Sequence, residues 1–173
     1  IEFMQAANGL VENPFEFEIL ENGDHNEILI SPLIHSIVDA IQSGENVHRI
    51  SGRFHYTLIK IFLEITLIAS KETQIKDIVL SGGVFQNDLL FNGLMPELKK
   101  KGFNVFVSEK GIITDKNKGV LLNNEIEWEE ERHTLDLILD ADEVIKSPGI
   151  PDGIGLIKQI GNKGISIISE VEF

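Results

Sequence analysis

A chain of 173 residues with 42% hydrophobic residues and a mean hydropathy of +0.04 has the material of ordinary globular protein, one domain or parts of two, and is not of the disordered class. A net charge of −13 with no basic stripe to offset it opposes phosphate backbones and anionic membrane surfaces, so neither nucleic acid nor membrane is expected as a partner. Zero cysteines remove disulfides, thiolate metal sites and cysteine nucleophiles together, which fits a reducing, cytoplasmic compartment. No apolar run reaches the roughly 18 residues of a membrane span, and the opening Ile1-Glu2 does not read as a signal peptide. With no initiator methionine, the chain reads as a fragment at both ends.

In chain order, Phe15, Phe17 and Ile19 alternate with Glu16 and Glu18. The turn residues Asn22-Gly23-Asp24 then precede Ile28 to Ile30, which predicts a hairpin. Ser31-Pro32 supplies a cap and a first-turn proline for a helix whose Leu33, Ile34, Ile37, Val38 and Ile41 are expected on one face, with Gly44 ending it and His35 on the surface. A longer, more apolar helix is expected from Ser51 to about Ser70. Phe54, Leu58, Ile61, Phe62, Ile65 and Ile68 form its buried stripe, which Ile59, Leu63 and Leu67 widen into two packing faces.

Ile78, Val79 and Leu80 form a short apolar run that stops at Ser81-Gly82-Gly83, as a buried parallel strand entering a glycine turn would. Leu89, Leu90, Leu94 and Leu98 recur at helical spacing, Lys99 to Lys101 make a cationic last turn, and Gly102 stops the helix. Phe103 to Val107 is the next strand. This βαβ unit leaves backbone amides at a helix N-terminus where an anion can bind. Beyond it the alternation predicts a helix over 115–123, a strand over 126–128, a helix over 134–139 and a strand at Val144-Ile145. A break at Ser147-Pro148-Gly149, a helix over 153–163 and a strand over 165–168 complete it. The acidic run Glu125 to Glu131 around Trp128 reads as a solvated face. Strands alternating with helices in this way imply right-handed crossovers in one parallel sheet, with strands near 78–80, 103–107, 126–128, 143–146 and 165–168.

Chemistry is expected first at Ser81-Gly82-Gly83, where glycines let amides approach a phosphate. Neither GxGxxG nor GxxxxGK[ST] is present, and a strand-to-helix turn also needs glycine for its geometry alone. The run Leu80-Ser81-Gly82-Gly83-Val84-Phe85-Gln86-Asn87, with Gly52-Arg53-Phe54-His55 upstream, resembles the C-terminal region of hydrogenase-maturation carbamoyltransferases (HypF). Phe3-Met4-Gln5-Ala6-Ala7-Asn8-Gly9 through Asn13-Pro14-Phe15 fits the same region, and the resemblance covers residues 1 to about 105.

That resemblance implies an actin-like nucleotide-binding fold that forms carbamoyl-adenylate from ATP and passes the carbamoyl group to a C-terminal cysteine of an acceptor protein. Gly82 and Gly83 would line the adenylate, with Ser81 and Asn87 beside it and His55 on a neighbouring helix. A core or surface helix residue is the plainer reading of His55. The family's upstream histidine pair is absent, and Gly111-Ile112-Ile113 replaces its Asn-Asp-Gly-Gly segment. The five histidines form no i, i+4 pair, so no metal site is expected and the carbamoyltransferase site is incomplete.

From about Lys101 to Phe173 the sequence resembles the N-terminal domain of UDP-N-acetylmuramoylalanine:D-glutamate ligases (MurD) of peptidoglycan synthesis. Phe103 to Ser108, Ala141 to Pro151 and Ile168 to Phe173 carry that likeness. It implies a Rossmann-like domain holding the UDP end of a UDP-sugar. Glu109 would stand where the ligases place an aspartate on the uracil ring, and Ser147 and Gly149 would approach the nucleotide. Ser-Pro-Gly equally well just ends a strand. No Gly-Lys-Thr ATP loop is present, so ligation cannot run in these residues.

The fold class expected is therefore α/β: an actin-like carbamoyltransferase fragment running into a Rossmann-like parallel sheet. Residues 1–76 would form the carbamoyltransferase-like hairpin and helices, and 77–173 the Rossmann-like domain, joined through a shared βαβ seam at 77–109. Three functions remain open: a carbamoyltransferase fragment fused to a UDP-binding domain and inactive alone, a ligase N-terminal domain, or a non-catalytic nucleotide-binding scaffold.

Overall fold

The computed structural model describes residues 7, 9–22, 25–80, 87–134, 136, 139, 143–146, 153–164 and 166–169. Strands β1 (Glu18–Asn22) and β2 (His25–Leu29) pair antiparallel as a hairpin, with Ile19 opposite Ile28. Helices α1 (Ile30–Gln42) and α2 (Val47–Thr73) follow. Then come β3 (Asp77–Leu80), α3 (Asp88–Lys100), β4 (Asn104–Glu109), α4 (Asp115–Asn123) and β5 (Glu127–Glu130). The chain continues through β6 (Glu143–Lys146), α5 (Gly155–Asn162) and β7 (Ser166–Ser169). It is an α/β protein, with β3, β4 and β5 in one parallel sheet in that order.

The expected five-stranded sheet is corrected. Strands β6 and β7 form their own two-stranded parallel pair, with Val144 opposite Ile167 and Ile145 opposite Ile168. Three of the four residues of β5 are glutamates, a composition suited to a sheet edge rather than to a strand flanked on both sides. Two compact units result, Ile1–Phe106 with Thr114–Glu127, and Val107–Ile113 with Trp128–Phe173.

In the first unit α3 is the most deeply covered helix, with Leu90, Phe91, Leu94, Met95 and Leu98 all at most 4% exposed. Their spacing at i, i+1, i+4, i+5 and i+8 makes one wide apolar face. That face meets α2, whose Ile59, Ile61 and Leu63 are buried. Gly93 lets the two helices come close, because a Cβ there would overlap Ile59 Cδ1. Pro96 lies inside α3, and the helix continues through it to Lys100.

The α1 reading is corrected in two respects. Leu29 is the N-cap and makes no side-chain cap bond, which leaves Pro32 as the third helical residue. Only Leu33, Ile37 and Ala40 turn toward the cluster of Phe15, Ile50 and Phe54, whereas Ile34, Val38 and Ile41 are exposed. A short helix with apolar residues on two sides has one stripe to bury, and here the cluster takes the narrower one.

Residues 9–15 thread along the first half of α2. The Val11 amide donates to the Gly52 carbonyl at 3.3 Å, and the Phe15 amide donates to Thr57 Oγ1 at 2.8 Å. Arg53 Nε donates to the Asn13 carbonyl at 2.9 Å, while its guanidinium lies 3.9 Å from the Phe15 ring centroid and pairs with Glu45 at 2.7 Å. A Cβ on Gly52 would stand 2.5 Å from the Gly9 carbonyl oxygen, an obstacle made of backbone. Gly119 in α4 has nothing within 4 Å of such an atom.

Two glycine substitutions should therefore move stability in opposite directions. In urea unfolding, Gly52→Ala is expected to cost about 1–3 kcal/mol through overpacking. Gly119→Ala should add roughly 0.5–1 kcal/mol by restricting the unfolded chain.

Candidate functional site

Ser81, Gly82 and Gly83, the turn singled out from the sequence, lie outside the described residues, as do Ser147 and Gly149. What is described is the frame of the turn. β3 ends at Leu80 and α3 begins at Asp88, so residues 81–87 join a parallel strand to a helix N-terminus. Asn87 is the N-cap of α3, and its Oδ1 accepts from the amides of Leu89 at 3.1 Å and Leu90 at 3.3 Å. Two first-turn amides expected to be open to an anion are thus satisfied by a side chain. Asn87 Oδ1 leaves the amide of Asp88 uncapped. The Asp88 carboxylate, unfavourable beside an incoming anion, is paired with Lys116 at 2.8 Å.

His55 is 2% exposed, and its Nδ1 donates to the Ser51 carbonyl at 2.8 Å, one turn back in α2. It is a core histidine one turn beyond Ser51, beside the Arg53 and Thr57 contacts that hold residues 9–15. Within the Gly52-Arg53-Phe54-His55 run, Gly52 gives room, Arg53 ties three partners and Phe54 joins the apolar cluster. An open cleft lined by Gly9, Leu10, Val11, Asn46, His48 and Arg49 contains none of the candidate site residues.

In the second unit Glu109 ends β4 half-buried, with Oε1 accepting from the Gly111 amide at 2.9 Å. Next to it is a group that sequence reading missed. Ser108, 2% exposed, places Oγ 2.8 Å from Glu129 Oε1 and 2.7 Å from His133 Nδ1. Glu129 Oε1 also accepts from the Thr134 amide at 2.8 Å, Oε2 accepts from the Thr134 hydroxyl, and Arg132 Nε is 3.5 Å away. Around this corner the Glu131 amide donates to the Gly111 carbonyl at 3.2 Å, and the Ile113 amide donates to Glu130 Oε2 at 2.9 Å.

The solvated-face reading of Glu125 to Glu131 is corrected accordingly. Glu129 is 5% exposed and fully engaged, because a buried carboxylate must collect donors and Ser108, Thr134 and Arg132 supply them. The one signal in the sequence was Ser108 itself, a hydroxyl directly after the apolar run Val105-Phe106-Val107. Burial works to raise the Glu129 pKa, but the bonds from Thr134 and Ser108 and the Arg132 charge outweigh it and hold the carboxyl below its ordinary value of 4.5. Among the described residues, no group of three His, Cys, Asp or Glu stands together as a metal site.

The parallel β3–β4–β5 sheet and the helices between its strands define the class as α/β. The structure is similar to the crystal structure of full-length HypF in the phosphate- and nucleotide-bound form, with a TM-score of 0.58 and 28% identity over 71% of this chain and 16% of that chain. The family model described as "Carbamoyltransferase, Kae1-like Domain, second subdomain" matches residues 1–117, and the chain belongs to that family.

A second likeness overlies it. Over 75 residues the chain is 57% identical to the UDP-N-acetylmuramoylalanine:D-glutamate ligase of Christiangramia forsetii and 53% identical to that of Bacteroides thetaiotaomicron. Each match covers 43% of this chain and 17% of the relative, so the chain spans about a sixth of the length of those ligases. The dual resemblance seen in the residues is thereby shown.

A depressed carboxyl pKa stabilises the folded state above the unfolded value and loses that stabilisation as pH falls through the folded one. In pH-dependent urea unfolding, wild type should exceed Glu129→Gln in stability at pH 7, with the gap intact down to pH 4.5 and closing below it. A gap that widens on acidification would contradict the assignment.

Proposed function

We propose that the chain is the second half of a carbamoyltransferase-type nucleotide domain fused to the UDP-binding portion of an amide ligase, a cytoplasmic fragment with no turnover of its own. The phosphates of ATP or carbamoyl-adenylate would be received at the Ser81-Gly82-Gly83 turn. The observation that carries this reading is the frame around that turn, in a chain whose family match runs through it to residue 117. A parallel strand ends at Leu80 and a helix begins at Asp88, whose amide Asn87 leaves uncapped while taking those of Leu89 and Leu90. The Lys116 ammonium offsets the Asp88 carboxylate at the same corner, which favours an anion there. His55, being buried and bonded to its own helix, acts in this reading through the packing of α2 rather than by touching nucleotide. A carbamoyl-acceptor protein is the corresponding macromolecular partner.

A second reading is favoured by the ligase likeness and by the place of Glu109 at the carboxyl end of a parallel strand, where open α/β sheets bind ligands. Here the ligand is the UDP end of a UDP-sugar, with Glu109 on the uracil ring and Ser147 and Gly149 nearby in the nucleotide contact.

Calorimetry separates the readings. ATP should release heat on binding wild type and not Gly83→Val, whose side chain would block the amide approach. UDP-N-acetylglucosamine should bind wild type and lose about tenfold or more in affinity with Glu109→Gln. Heat from neither nucleotide would leave a bare scaffold.

A further inference from the structure

The corner at Ser108 has no role in either reading as stated, yet its parts are buried, directional and immediately beside Glu109. We propose that Ser108, Glu129 and His133 are positioning residues that hold the Glu109 carboxylate in register for the imide edge of a uracil ring. The proposal rests on the UDP-end reading above.

Successive strand residues face opposite sides, so Ser108 and Glu109 point apart, and a slip of one residue would exchange them. The exchange is blocked by bonds that only a hydroxyl at position 108 can make. Ser108 has one hydroxyl hydrogen, and the ionised Glu129 can only accept, so Ser108 donates to Glu129 Oε1 at 2.8 Å. Its oxygen then accepts from His133 Nδ1–H at 2.7 Å, which fixes the imidazole tautomer. Thr134 and Arg132 hold Glu129 from the other side, so the carboxylate cannot swing away to follow a slipped strand. The bonds from Glu131 to Gly111 and from Ile113 to Glu130 carry the same register through the loop after β4.

Glu109 itself spends Oε1 on the Gly111 amide, which orients the carboxylate, and Oε2 has no partner among the described residues. A lone carboxylate oxygen of fixed direction accepts one N–H. Uracil presents N3–H at that edge, whereas cytosine has a bare N3 and carries its donor one atom away on the 4-amino group, so an oxygen held at the N3 position selects uracil. Charge-assisted hydrogen bonds are directional and leave a large penalty when mismatched, which is why register matters here.

The test uses the full chain with UDP and CDP as probes and Gly111 amide exchange in the ligand-free protein as a second readout. Wild type should prefer UDP by about tenfold or more. Ser108→Ala and Glu129→Gln should bring the two affinities within about twofold, leaving CDP binding unchanged, and Ser108→Thr should restore the preference. Gly111 exchange should accelerate about tenfold in Ser108→Ala and recover in Ser108→Thr.

Loss of UDP and CDP affinity in equal measure, or a Ser108→Ala variant that still prefers UDP, would overturn the proposal. If wild type binds no UDP while Gly111 still responds to Ser108, the UDP reading fails and the positioning of Glu109 stands. Unchanged Gly111 exchange in Ser108→Ala overturns the positioning whatever binds.

Discussion

The buried face of α3 is the constraint on which the rest of the structure depends. Leu90, Phe91, Leu94, Met95 and Leu98 bury one face of this helix, and Gly93 leaves room for the Ile59 side chain of α2. With α3 fixed, its start at Asp88 and the end of β3 at Leu80 bracket residues 81–87, and its end at Lys100 delivers the chain to β4. The carbamoyltransferase motif Gly52-Arg53-Phe54-His55 serves the same core from the other side, by pinning residues 9–15 along α2.

Two likenesses share this chain. The carbamoyltransferase match ends at residue 117, and the ligase match covers 43% of the chain. The chain spans 16% of the HypF structure and 17% of the ligase of Christiangramia forsetii.

Much of the element order was legible because apolar spacing states it directly: the hairpin, both long helices, β3 to β4 and the helix over 115–123 all follow from periodicity. Neighbour order in sheets was not, since a four-residue strand such as β6 reads the same beside β5 or beside β7. On α1 the pattern Leu33, Ile34, Ile37, Val38, Ile41 gave no way to tell which stripe the Phe15 cluster would take. Residues that work through tertiary partners were the least legible. Glu129 looks like its acidic neighbours in sequence, and only its contacts with Ser108 and Thr134, 21 and five residues away, set it apart. His55 shows the converse, a buried motif residue bonded to the helix carbonyl one turn back and edge-on to the Phe54 ring.

The central claim, that a nucleotide's phosphates meet the chain at the start of α3, is tested most directly by amide NMR of the intact 173-residue chain titrated with ATP. Saturable shifts at the Asn87 and Asp88 amides and at residues 81–86, with the 108–113 amides still, are the result expected. Shifts confined to 108–113, or an unmoved Asp88 amide at saturating ATP, would contradict it.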